Sequence, residues 1–213
     1  MGHQSNGIIP LPQLSKELLE CIDKCEKLHA CINNNLKGLM MNGRVALFGG
    51  YFSIAHEHFA SMLNLLRMHY PASAAALARP HFEACFRGMW VNLKATDSEV
   101  DKLFAWKAPD FPTMAVMLDD IDAGYGAEGA LKLFHIHWKT LCGLTHTGIE
   151  QLSRRFGDTA ILSTFTDEDL IKIMTLTASA ATAAVVPLLG ISGKTQEAQD
   201  LQHFHSKLFG WSE

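Results

Sequence analysis

The chain has 213 residues, 48% of them hydrophobic and 19% charged. That is enough apolar material for one well-formed core, and with no Pro/Gly/Ser-rich linker or shift in composition it reads as a single domain over residues 1–213. A net charge of -4 excludes the broad basic field of a large nucleic-acid or anionic-membrane surface, but not a small local anion site.

The opening stretch MGHQSNGIIPLPQ has no charged segment leading into an apolar run, so it does not read as a signal peptide, and Asn6 stands where lipidation after Gly2 requires a small hydroxyl. Residues 1–11 are expected to be poorly ordered. The first helix is predicted over about Pro12 to Leu36, with Leu18, Leu19, Ile22, Cys25, Leu28 and Ile32 at helical spacing and NNNLKG as its ending. A second covers about Val45 to His69, with Phe48, Phe52, Ala55, Phe59, Met62, Leu63 and Leu66 facing inward; Tyr70-Pro71 closes it. A third spans about Ala72 to Lys94. The stretch ATDSEV then caps a short helix reaching about Lys107, with Asp97 or Ser98 as the cap. Pro109 and Pro112 bracket another short helix ending near Asp122, and AGYGAEG is a loop. A long element from about Ala127 to Thr145 carries Leu131, Phe134, Trp138 and Leu141. Gly148 interrupts before IEQLSRRF. Thr166 caps a helix rich in small residues, and a last helix, about Thr195 to Phe209, ends at Gly210.

No segment alternates with period two, so the expected class is all-α: an up-and-down helical bundle with short accessory helices. Lys172 to Lys194 is uncharged and long enough to span a bilayer. Its Thr175, Thr177, Ser179, Thr182 and Pro187, and the acidic DEDL before it, read as a buried soluble helix, so no membrane partner is expected. Five Cys, an odd number without framework spacing, point to reduced thiols in a cytoplasmic protein.

The stretch SAAALARPHFEACFRGMW carries full charges only at Arg79, Glu83 and Arg87, each four residues after the last. They fall within roughly 80° of arc. One reading makes them the solvent stripe of a core helix, laced by ion pairs contributing about 0.2–0.5 kcal/mol each. The other makes them a site. Glu83 stands between two arginines and would hold both guanidinium forks in fixed directions. Pro80 has no N–H for the Ala76 carbonyl, which lies in the same sector, or else it begins a new helix after a break. A freed carbonyl, two guanidinium groups and a carboxylate suit a small anion or phosphate.

This stretch, followed about sixty residues later by LTHTG, resembles a group of bacterial helical proteins sharing a small-residue run, Arg-x-x-x-Glu and a later His-Thr/Gly turn. That group is similar to the HEPN superfamily, the higher-eukaryote and prokaryote nucleotide-binding helical bundles. The likeness covers about Tyr51 to Arg155. It implies a helical fold, a homodimer, and nucleotide or RNA association through a polar site. It departs from the superfamily at the RNase signature, Arg then His after four to six residues, which no arginine here completes.

In LCGLTHTGIEQLSRR, His146, Glu150 and Arg154 stand at i,i+4 spacing, with Gly143 and Gly148 marking a bend or a close approach. His146 is a candidate acid/base, or a helix-end histidine bonded to a carbonyl. His146 and Glu83 are thus the candidate catalytic pair, and Arg79, Arg87 and Glu150 the candidate ligand-binding residues, provided the third and fifth long helices are neighbours. The Cys21, Cys25, His29 line is too extended for one zinc, His56 and His58 lie on different faces, and neither a metal nor a cofactor is expected. The aromatic residues sit at core spacings. Three functions remain open: a HEPN-like nucleotide- or RNA-associated protein, a noncatalytic homodimeric module, and a small-ligand binder with Met and Phe lining an interior cavity.

Overall fold

Helix boundaries follow side-chain caps in the computed structural model, which describes residues 14–39, 42–107, 109–126, 131–156 and 163–210. The Ser15 hydroxyl accepts from Leu18 N–H and opens α1 (Lys16–Leu36); Pro12 and residues 1–11 lie outside the described residues. α2 is Gly43–Arg67 and α3 is Pro71–Leu93, with Pro71 in the first turn, where its missing N–H costs nothing. Thr96, not Asp97 or Ser98, caps α4 (Asp97–Phe104), because Glu99 at the third helical position returns the bond to the Thr96 N–H. Thr113 caps α5 (Met114–Tyr125), which places both Pro109 and Pro112 ahead of the helix; Gly126, at φ 64°, ends it. α6 is Lys132–Thr145, and the predicted start at Ala127 lies outside the described residues. α7 (Ile149–Leu152) runs into a 3-10 turn, Ser153–Arg155. Thr166 caps α8 (Asp167–Ile191), and α9 (Thr195–Phe209) stops at Gly210, φ 72°. Among the described residues there are nine α-helices and no strand.

α2 and α3 form the most extensive pair and run antiparallel. His81 on α3 lies against the Ala55 carbonyl of α2, and Gly88, two turns on, lies against Phe48, two turns back. A Cβ at Gly88 would come within 2.7 Å of Phe48 Cδ2, 3.0 Å of Tyr51 Cβ and 3.2 Å of the Phe48 carbonyl oxygen. Glycine therefore sets how closely the two helices approach. The predicted α2 stripe is buried throughout; on α1, Leu19 is turned outward and Cys21 inward.

α8 lies alongside α1 in the same direction. Asp167 accepts from Ser15 N–H at one end, and Lys194 donates to the Asn35 and Lys37 carbonyls at the other. The up-and-down order thus runs through α1–α3, crosses over by way of α4–α7, and resumes with α8 and α9. α8 is long and apolar enough to cross a membrane by length and composition, and 61% of its most apolar window is buried inside the bundle. Its inward residues are small, Ala178, Ala180, Ala181 and Ala184 among them, so α1, α2 and α3 can all pack on it.

His81 is fully buried where α2, α3 and α8 meet. Its Nδ1 is 2.8 Å from the Ala55 carbonyl and its Nε2 3.1 Å from that of Thr177. Burial pushes the imidazole down to about 4.

Two predictions follow from this packing. Gly88→Ala gains helix propensity but overpacks the α2–α3 contact, and should lose about 1–2 kcal/mol net in chemical denaturation. Unfolded, His81 binds a proton near pH 6.5; folded, it does so only near 4. Its stabilising effect is therefore complete above pH 6.5 and is lost as pH falls toward 4, by up to about 3 kcal/mol. Urea titrations across that range that gave a flat stability would show that His81 is not held neutral.

Candidate functional site

α3 runs unbroken through Pro80, so the proline does not start a new helix. It leaves the Ala76 carbonyl without its helical donor. The Thr145 hydroxyl, at the end of α6, donates to that carbonyl at 3.0 Å. Gln151, on α7, adds a second link by donating to the Ala72 carbonyl at 3.1 Å. The third and fifth long elements are therefore neighbours, and they are joined at the notch that the proline makes.

His146 follows Thr145 directly, and its Nε2 meets Nη1 of Arg79. A guanidinium only donates, so Nε2 accepts and Nδ1 carries the imidazole proton. Arg79 Nε donates to Glu83 Oε1 at 2.9 Å, and the other carboxylate oxygen pairs with Arg87 Nη2 at 3.7 Å. Arg79 lies over the Trp138 ring, 5.2 Å from its centre, and Arg87 over Phe111 at 5.0 Å. The side chains of Arg79, Glu83 and Arg87 are 22%, 19% and 38% exposed. The i,i+4 pairs of the first reading do form, but under α6 and Phe111 instead of along an open stripe.

The structure thus brings Arg79, Glu83, Arg87 and His146 together. It does not align His146, Glu150 and Arg154. α6 ends at Thr145, and Thr147 adopts the left-handed conformation at φ 54°, a strained one for a β-branched residue. Gly148 N–H then returns to the Gly143 carbonyl at 2.7 Å. The close approach at Gly143 comes from α7: a Cβ there would overlap the Glu150 carboxylate. Glu150 and Arg154 line a separate hollow of about 330 Å3, where Arg154 pairs with Asp169.

The sequence reading missed a hollow of about 760 Å3 beside Arg87, walled by Tyr51, Phe104, Trp106 and Phe111, with Lys107 as a second cation. Arg87 Nε is buried without a partner. Burial pushes the Tyr51 phenol up, and Arg87 opposes that shift. Trp106 is 95% exposed and sits at φ 57°, so this part of the aromatic set does not follow core spacing. The available signal was FAWKAPDF, three aromatics and one lysine around a proline.

All five cysteines are free thiols. Cys25 is buried near the Met174 carbonyl, and His29 stacks on His56 with ring centres 4.0 Å apart. Among the described residues, no group of three His, Cys, Asp or Glu is placed to hold a metal ion.

A family model described as a family of unknown function (DUF6988) matches residues 52–210, which takes in every residue of the Arg79–His146 site. No curated protein and no solved structure gives a significant match.

The notch can be tested by a double-mutant cycle. Thr145→Val alone strands the Ala76 carbonyl and should cost about 1–2 kcal/mol. With Pro80→Ala, which returns the helical N–H, the same change should cost less than half as much. Equal costs in both backgrounds, read from denaturation midpoints, would show that the hydroxyl does not serve that carbonyl.

Proposed function

The chain belongs to that family of unknown function, and from this premise we propose that it is a nucleotide- or RNA-associated helical protein of HEPN-like type, acting in the cytoplasm. Arg87 and Arg79 receive phosphate. Glu83, with both oxygens turned to guanidinium groups, orients them, and His146 is the group available for proton transfer.

The observation that carries the reading is the Arg87 guanidinium. Its Nε is buried and unpaired, at the wall of a hollow that also holds Tyr51, Phe104, Trp106, Phe111 and Lys107 among aliphatic residues such as Leu47, Ile54 and Leu103. A buried cationic donor without an acceptor favours an anionic oxygen. Aromatic faces beside it suit a stacked base, which contributes about 1–3 kcal/mol per base. The local site is compatible with the overall acidity, because phosphate recognition here needs only two or three cations.

A second reading, a homodimeric interaction module, draws on the exposed Ile136, Ile149, Leu152 and Phe156 of α6, α7 and the turn after it. Sedimentation of the wild type against an Ile149→Glu, Phe156→Glu variant separates dimer from monomer.

Fluorescence anisotropy with a labelled single-stranded RNA, and with AMP as competitor, tests the main reading. Arg87→Gln should weaken binding about tenfold or more, and Trp106→Ala about fivefold or more. Wild type that binds neither RNA nor AMP would overturn the reading. RNA degradation by wild type and His146→Ala is the separate test of catalysis, and equal rates would remove His146 from any mechanism.

A further inference from the structure

A different hollow, of about 640 Å3, opens between α3, α5, α8 and α9 and the start of α6. Its size is ordinary for a small-molecule site. Its chemistry is the opposite of the Arg87 hollow. Among the described residues no lysine or arginine lines it, and the charged group they supply is the Asp122 carboxylate, which accepts Leu131 N–H at 3.2 and 3.3 Å. Met89, Ile121, Leu131, Phe134 and Val186 supply an apolar wall.

The polar wall carries acceptors on α5 and α8, beside the Tyr125 phenol, the Gln202 amide and the Ser206 hydroxyl, which can also donate. α8 carries a proline inside the helix, Pro187, which deprives the Ala183 carbonyl of its helical donor. Ala183 and Pro187 both line the hollow. The equivalent notch in α3 is answered by Thr145; the one in α8 lies at the edge of a space. Ser179 and Thr182 send their hydroxyl protons back to the carbonyls of Thr175 and Ala178, so their lone pairs are what they offer outward. His205 lies 3.4 Å from Ser179 Oγ, and burial pushes its imidazole down, which favours the neutral form.

We propose that this hollow binds a small, mainly apolar amine, whose body fills the Met89–Phe134 wall and whose N–H groups meet the Ala183 carbonyl, the α8 hydroxyl oxygens and the Asp122 carboxylate. Asp122 disfavours anions, and among the described lining residues no lysine or arginine offers them a counter-charge. The site is independent of the phosphate reading, and neither stands or falls with the other.

Three probes sharing one ring system test it on the full chain by ligand-observed NMR: tryptamine, a cation; indole, neutral; and indole-3-acetate, an anion. Tryptamine should bind most tightly, indole less so, and indole-3-acetate at least about tenfold more weakly than tryptamine. Ala183→Leu, which fills the space, should abolish binding. Pro187→Ala is the discriminating variant. It returns the N–H to the Ala183 carbonyl, so it should raise the melting temperature while weakening tryptamine about fivefold. The proposal is overturned if none of the three probes binds at millimolar concentration. It is equally overturned if the anion binds as well as the amine, or if both variants retain wild-type affinity.

Discussion

One missing hydrogen organises the candidate site. Pro80 has no N–H, so the Ala76 carbonyl needs a donor from outside its helix. Thr145 supplies it, and that bond pins the end of α6 against the middle of α3. Because His146 is the next residue, the imidazole arrives at Arg79 as a consequence of the same bond. The left-handed Thr147 then turns the chain into α7, so the site sits where one helix ends and the next has not begun.

Glu83 gives the site its charge balance. One carboxylate between two guanidinium groups leaves a net positive cluster on a chain whose overall charge is -4. Screened surface pairs of this kind contribute little to stability, but partial burial under Trp138 and Phe111 restricts where the guanidinium groups can point. The second hollow is built on the reverse principle, an acidic group and carbonyl or hydroxyl acceptors set in an apolar wall. The two spaces lie on one fold, with Arg87 and Lys107 at the wall of one and Asp122 at the wall of the other.

Both spaces depend on a rigid frame. Gly88 allows α2 and α3 to meet closely, and the small residues of α8 let it touch α1, α2 and α3 together. His81 sits where three of these helices meet, and in its neutral form donates to one of the two carbonyls, Ala55 or Thr177, that face its ring nitrogens. Its burial forces the neutral form near pH 7, which links the integrity of the frame to pH.

What the sequence by itself determined was whatever lies within one helical turn. The cap at Thr166, the stop at Gly210, the inward stripe of α2, the alignment of Arg79, Glu83 and Arg87, and the carbonyl released by Pro80 all follow from i to i+3 or i+4 geometry. The tertiary structure alone decided that Thr145 would answer Ala76 across 69 positions, that α8 would run beside α1 in the same sense, and that Trp106 would stand out into solvent beside an incompletely paired Arg87. It also broke the His146–Glu150–Arg154 line at Thr147. The physical reason is range. Helical periodicity fixes which side chains share a face, whereas the partner of that face depends on packing register and direction, which a single chain's periodicity does not encode.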